Sequence, residues 1–180
     1  MAPVAWGYSS GAPICTYPSA GWTSMGGGVA GTGGFVIRVL DRTGPITQYS
    51  PGKTYAVEVS DSTAYAGFLL QSVKGIPGNA NVDGVGVFAW SDSTLYHHAP
   101  CGTAASSVTH TYARTIARLR ADTFRWSAPP AGTGPVTFHL VGVVSRFEWY
   151  GRGVLITTSL LEGGDPIESL AWSRIKSLYR

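Results

Sequence analysis

The sequence predicts an all-β chain: an antiparallel β-sandwich of about eight strands followed by a short C-terminal α-helix. Three observations carry this. Charged residues make up only 13% of the 180 residues, whereas 24 are glycine and Ser and Thr are abundant. A typical soluble chain is roughly a quarter charged, so long solvated helices cannot be built from this alphabet. Short runs with period-two alternation recur at intervals of about ten residues. The segments between them are turn-forming: SPGK at 50–53, PGNAN at 77–81 and APPAGTGP at 128–135, where Pro presets φ and Gly supplies positive φ.

The strands are expected near 35–40, 54–60, 65–73, 85–90, 107–112, 123–127, 136–144 and 154–159. In TYAVEVS, Tyr55, Val57 and Val59 share one face and Thr54, Ala56, Glu58 and Ser60 the other, so this strand has one wet side. VTFHLVGVV repeats the pattern, with Val136, Phe138 and Leu140 set against Thr137, His139 and Val141. Its later part is apolar on both faces, which predicts a central strand, and His139 falls on the face read as wet. The run GGGVAGTGG at 26–34 is a surface link; no GxxxxGK[ST] follows it, so it is no phosphate cradle.

At the C-terminus, DPIESLAWSRIKSLYR has Asp165 at the N-cap, Pro166 at N1 and Glu168 at N3. Ile167, Leu170, Ala171, Ile175 and Leu178 then fall at helical spacing. The expected organisation is therefore an irregular Gly/Pro-rich segment over 1–34 packed on the sandwich, the sandwich over 35–160, and a helix over 165–180. The helix stripe covers an end or edge of the sandwich, or docks onto another chain.

Net charge is +3 with scattered basic residues, so nucleic acid is not an expected partner. No segment reaches the eighteen or so apolar residues of a membrane span. The chain begins MAPVAWGYSS, without a basic n-region or apolar h-region, so no signal peptide is expected within it. Neither Asn79 nor Asn81 starts a glycosylation sequon. Cys15 and Cys101 can be a disulfide, two buried thiols or half of a metal site, but their separation excludes a CxxC knuckle.

Taken in order, GAPIC ending at Cys15, SPGKTYAVEVS at 50–60, YAGFLLQSV at 65–73, Cys101, SVTHTY at 107–112 and FRWSAPPAGTGPVTFHLVGVV at 124–144 resemble the reeler (reelin N-terminal) domain family over about residues 11–150. The resemblance implies an immunoglobulin-like sandwich in a secreted protein. It also implies a Cys15–Cys101 disulfide, for which the chain-entropy estimate is about 4–5 kcal/mol. The C-terminal helix is not part of the family pattern.

His97, His98, His110 and His139 invite a metal reading. Adjacent His97 and His98 would point to opposite faces of a strand, so only one of them could join His110 in a site. His110 belongs to the family's Thr-His pair, and no metal or cofactor is expected. The chain has no G-x-S-x-G elbow and no H-E-x-x-H, so it is not expected to be an enzyme. Aromatics are the better lead. Trp6, Tyr8 and Trp22 lie in the irregular N-terminal segment, and Tyr96, Trp149 and Tyr150 near predicted loops, where ring faces can meet sugars or apolar partner groups. The resemblance implies a secreted, non-catalytic recognition or adhesion module binding a glycan, a matrix component or a microbial surface, as in cell adhesion or innate immunity. A second reading is a subunit of an extracellular homo-oligomer that uses the N-terminal segment together with Ile167, Leu170, Ile175 and Leu178. A third is an accessory to metal or redox chemistry, since family domains precede electron-transfer modules in some membrane reductases; this chain offers no helical haem ligands for it.

Overall fold

The computed structural model describes residues 11–12, 28–62, 64–77, 83–99, 104–112, 121–145, 147–151 and 155–163. Twelve strands run through them: β1 (Val36–Asp41), β2 (Gly44–Pro45), β3 (Gln48–Tyr49), β4 (Thr54–Ser60), β5 (Gly67–Lys74), β6 (Val87–Ala89), β7 (Tyr96–His97), β8 (Ser107–His110), β9 (Asp122–Ser127), β10 (Val136–Ser145), β11 (Glu148–Tyr150) and β12 (Ile156–Glu162). One sheet has the order β2-β1-β4-β9-β6; the other has β3-β12-β10-β5-β8-β7, with β11 also paired to β10. All pairings are antiparallel except β3 with β12.

All eight predicted strands form. The four that the alternation did not predict, β2, β3, β7 and β11, are two or three residues long, too short to display a period; β6 is as short but lies inside the longer predicted run 85–90. Among the described residues the only helical turn is the 3₁₀ turn Ala104–Ser106. The expected helix 165–180, and both Cys15 and Cys101, lie outside the described residues.

The core sits between the sheets. From the first sheet come Ile37, Val39, Tyr55, Val57, Val59, Phe88, Phe124 and Trp126. Phe68, Leu70, Val108, Val136, Phe138, Leu140, Ile156 and Leu160 meet them from the second. Trp126 lies edge-on to Phe138, with ring centroids 4.8 Å apart, and donates its indole N–H to Ser72 Oγ at 3.1 Å. A buried indole N–H without an acceptor would be costly, so Ser72 allows a tryptophan at this depth. In β4 the expected alternation holds, with Tyr55, Val57 and Val59 buried and Thr54, Ala56, Glu58 and Ser60 more open.

In β10 the expectation of a wet outer face is corrected. Thr137 and Val141 are buried there and His139 is only partly exposed. A second, smaller core of Ala12, Leu69, Ala99, Val141 and Trp149, with Val143 against it, covers this face of the second sheet. It closes because Ala12 N–H donates to Thr109 Oγ1 (3.1 Å) and Val29 N–H to Trp149 O (2.9 Å), fastening chain segments over the strands. β10 is central, as its two-sided apolar run predicts, with β5 on one side and β12 and β11 on the other.

Gly142 on β10 faces the Phe35 ring closely enough that a Cβ would collide with it. We expect Gly142→Val to cost about 1–3 kcal/mol by overpacking, seen as a lower urea midpoint at unchanged slope; an unchanged midpoint would contradict this packing.

Candidate functional site

The two ends of the sandwich differ in character. At the end where β1 stops and β4 starts, an open cleft of about 690 Å³ is lined by Asp41, Arg42, Gln48, Tyr49, Ser50, Lys53, Thr54, Tyr55 and Gly163. Three strand ends build it. The β1–β2 turn carries Asp41 and Arg42, β3 carries Gln48 and Tyr49, and the SPGK turn delivers Lys53 to the head of β4. β3 is held in place by β12: Leu161 N–H donates to Thr47 O (3.0 Å) and Gly163 N–H to Tyr49 O (2.8 Å). The SPGK turn is tied to the loop after β9, with Ala128 N–H on Lys53 O at 2.8 Å and Gly52 N–H on Pro129 O at 3.2 Å.

Several acceptors around this cleft are engaged within the protein. Asp41 accepts Thr43 N–H (2.7 Å) and the Thr43 hydroxyl (2.6 Å), which hold its carboxyl below the usual range, with a smaller contribution from the Lys53 charge. The Tyr55 hydroxyl accepts Ser50 N–H at 2.7 Å. Beneath the cleft, Tyr49 donates its hydroxyl to Gly134 O (2.7 Å) and lies 3.4 Å from Glu162 Oε2. The Glu162 carboxylate accepts Gly132 N–H (2.7 Å) and Gly134 N–H (2.5 Å), and these bonds hold it below its ordinary value. Burial, and then the Glu162 charge, push Tyr49 up to about 12. Arg42 and Lys53, by contrast, are exposed and make no ion pair with another described residue; the ion pair present, Arg38–Glu58 at 3.2 Å, is on the outer face of the first sheet. The cleft therefore presents donors outward: a guanidinium, an ammonium and the Gln48 amide.

The opposite end is closed by a buried polar cluster. Tyr65 donates to Asp122 Oδ2 at 2.8 Å and Tyr96 to Asp122 Oδ1. This corrects the reading of Tyr96 as a loop-presented aromatic. It is 9% exposed, with its ring edge-on to Phe124 and its hydroxyl spent on Asp122. Trp149 is likewise corrected: at 1% exposure it is a core residue of the outer layer and offers no ring face. Tyr150 is partly buried, packs against Phe35 and donates to Glu148 at 2.9 Å. Trp6, Tyr8, Trp22, Ile167, Leu170, Ile175 and Leu178 lie outside the described residues.

The histidines are placed apart in role. His110 Nδ1 accepts Phe68 N–H at 3.1 Å from within the sandwich. His98 Nδ1 bonds Ser107 O at 2.8 Å, with its ring against Trp90. His97 sits on the outer face opposite Thr109, and burial lowers its pKa. His139 is likewise lowered by burial on the face that was expected to be wet. Among the described residues no three His, Cys, Asp or Glu side chains come together as a metal site would need. Arg42, Gln48, Tyr49 and Lys53 were not singled out in the sequence, and Tyr55 only as part of the apolar face of its strand. Of these, only Lys53 carried a signal, as the cation of a Pro-Gly turn.

The sequence pattern of the Reeler domain matches residues 35–161, which spans β1 to β12. The chain is also similar to crystal structures of F-spondin reeler domains. One, from human F-spondin, has a TM-score of 0.61 at 26% identity, covering 81% of this chain and 99% of that one. A second structure of the reelin-N domain of F-spondin gives 0.59 at 25% identity over 79% and 96%. Another human fragment gives 0.58 at 27% identity over 74% and 90%.

Tyr49 generates a test. Its folded pKa of about 12 lies above the ordinary 10.0, so the unfolded chain gives up this proton first. Stability is then full below pH 10 and falls as pH rises toward 12. Tyr49→Phe should remove that component of the alkaline loss and cost about 1 kcal/mol at neutral pH, measured by urea unfolding; an identical alkaline profile in the variant would refute the assignment.

Proposed function

Because the chain belongs to the reeler family, an extracellular domain type, we propose that it is a non-catalytic recognition module that takes a glycan or glycan-bearing matrix component at the Arg42–Lys53 cleft. The observation that carries this reading is the hydrogen-bond inventory of the cleft. The Asp41 and Glu162 carboxyl groups and the Tyr55 hydroxyl are engaged within the protein, while Arg42, Lys53 and Gln48 face outward with donors to give. A ligand rich in hydroxyl, carboxyl or other oxygen acceptors complements that surface.

Recognition here runs through charge and hydrogen bonds rather than ring stacking. Tyr49 and Tyr55 are both buried, so neither offers a face for a sugar ring. The cleft also rests on strand ends rather than on a free loop. Its floor is fixed by the Tyr49–Glu162 contact and its rim by the β3–β12 pairing, which preorganises the donors.

A glycan and matrix-component array with the full chain tests the reading. We expect saturable binding, weakened at least about tenfold by combining Arg42→Ala with Lys53→Ala, since each charged hydrogen bond contributes about 1.5–3 kcal/mol. Arg125→Ala, on the outer face of the first sheet, should leave binding unchanged. Binding indifferent to the double substitution would remove the cleft from the proposal, and failure to bind any component would remove the proposal itself.

A further inference from the structure

On the outer face of the second sheet, the edge strand β7 meets the segment Gly11–Ala12. His97 pairs across from Thr109 on β8. The Thr109 hydroxyl donates to Phe68 O at 2.7 Å and accepts Ala12 N–H at 3.1 Å. Gly11, at φ +93°, lies so close to the His97 imidazole and to His110 O that a Cβ there would meet both. Ala12 then drops into the small core with Leu69, Ala99, Val141 and Trp149. One titratable ring thus forms the wall against which the covering segment is laid.

The surroundings of that ring favour its neutral form. The His97 imidazole makes no hydrogen bond or ion pair with another described residue. On its own strand's continuation it is followed by His98, whose charge opposes its own. From β8 the nearest titratable group is His110, whose Nδ1 is occupied by Phe68 N–H. Gly11 and Ala12 contribute nothing ionisable. An imidazolium must hydrate, and the side of this partly exposed ring that lies against Gly11 cannot be hydrated while that contact is kept.

We propose that His97 is an acid-sensitive latch: neutral, it holds Gly11–Ala12 over the outer core, and protonated, it lets that segment lift and uncovers Leu69, Val141 and Trp149. Burial, followed by repulsion from His98, lowers its folded pKa beneath the ordinary 6.5. The sign follows. The lifted state binds the proton more tightly, so docking is complete above pH 6.5 and weakens as pH falls from there through the folded pKa. This inference is independent of the cleft reading.

Hydrogen exchange on the full chain between pH 8 and 5, corrected for the intrinsic rate, tests it. Protection of the Ala12 amide should fall by up to about tenfold for each pH unit between the two pKa values, while amides of β4 and β9 stay protected and report an intact sandwich. His97→Gln should make Ala12 protection independent of pH, and His98→Gln should keep the transition but move it to higher pH. Ala12 protection that does not change with pH overturns the latch. So does a loss that persists unchanged in His97→Gln, which would assign the sensitivity to another group.

Discussion

The contact on which the architecture rests is Trp126 between the sheets. Its ring lies against Phe138 of the opposing sheet and against Tyr49 and Tyr55, with centroids 5.9 and 6.2 Å away. Tyr49 and Tyr55 are the residues that floor the open cleft. The same side chain therefore joins the two layers and sets the depth of the surface from which the cleft donors project. Aromatic edges and faces have fixed preferred geometries, so a shift at Trp126 would be transmitted to both tyrosines. Ser72, which receives the indole N–H and in turn donates to Val85 O at 2.5 Å, links this centre to the chain leading into β6.

The cleft depends on a second constraint, the binding of Glu162 by backbone amides. A carboxylate accepting two backbone N–H groups from a Pro/Gly loop is a charge-assisted arrangement. It fixes the loop between β9 and β10 against the end of β12. Glu162 is thus used by backbone amides and one oxygen of the exposed Asp41 by Thr43, so the acids of this region have part of their accepting capacity taken up within the protein. Net charge says little about such a site, because what a ligand meets is the set of groups not already satisfied.

The outer face of the second sheet departs from the simple sandwich. In a two-layer fold it would be solvated, yet Leu69, Gln71, Val73, Thr137 and Val141 are buried on it. Ala12 and Ala99, from segments without regular structure, and Trp149 of β11 supply part of the cover. This is why His97 and His139 are desolvated on a face that alternation assigns to water, and why Trp149 is core rather than a ligand platform.

The sequence by itself determined the all-β class, the eight predicted strands, the inward face of β4, the centrality of β10 and the family, because each is written in local alternation, turn residues or an ordered set of short motifs. Only the tertiary structure decided the rest. Strands of two or three residues carry no period, and β3 exists because β12 lies beside it. The cleft joins residues from position 41 to position 163, and no spacing rule brings those together. The burial of Tyr96 and Trp149 and the partial burial of His97 were equally out of reach, since period two says which residues share a face but not whether another piece of chain will cover that face.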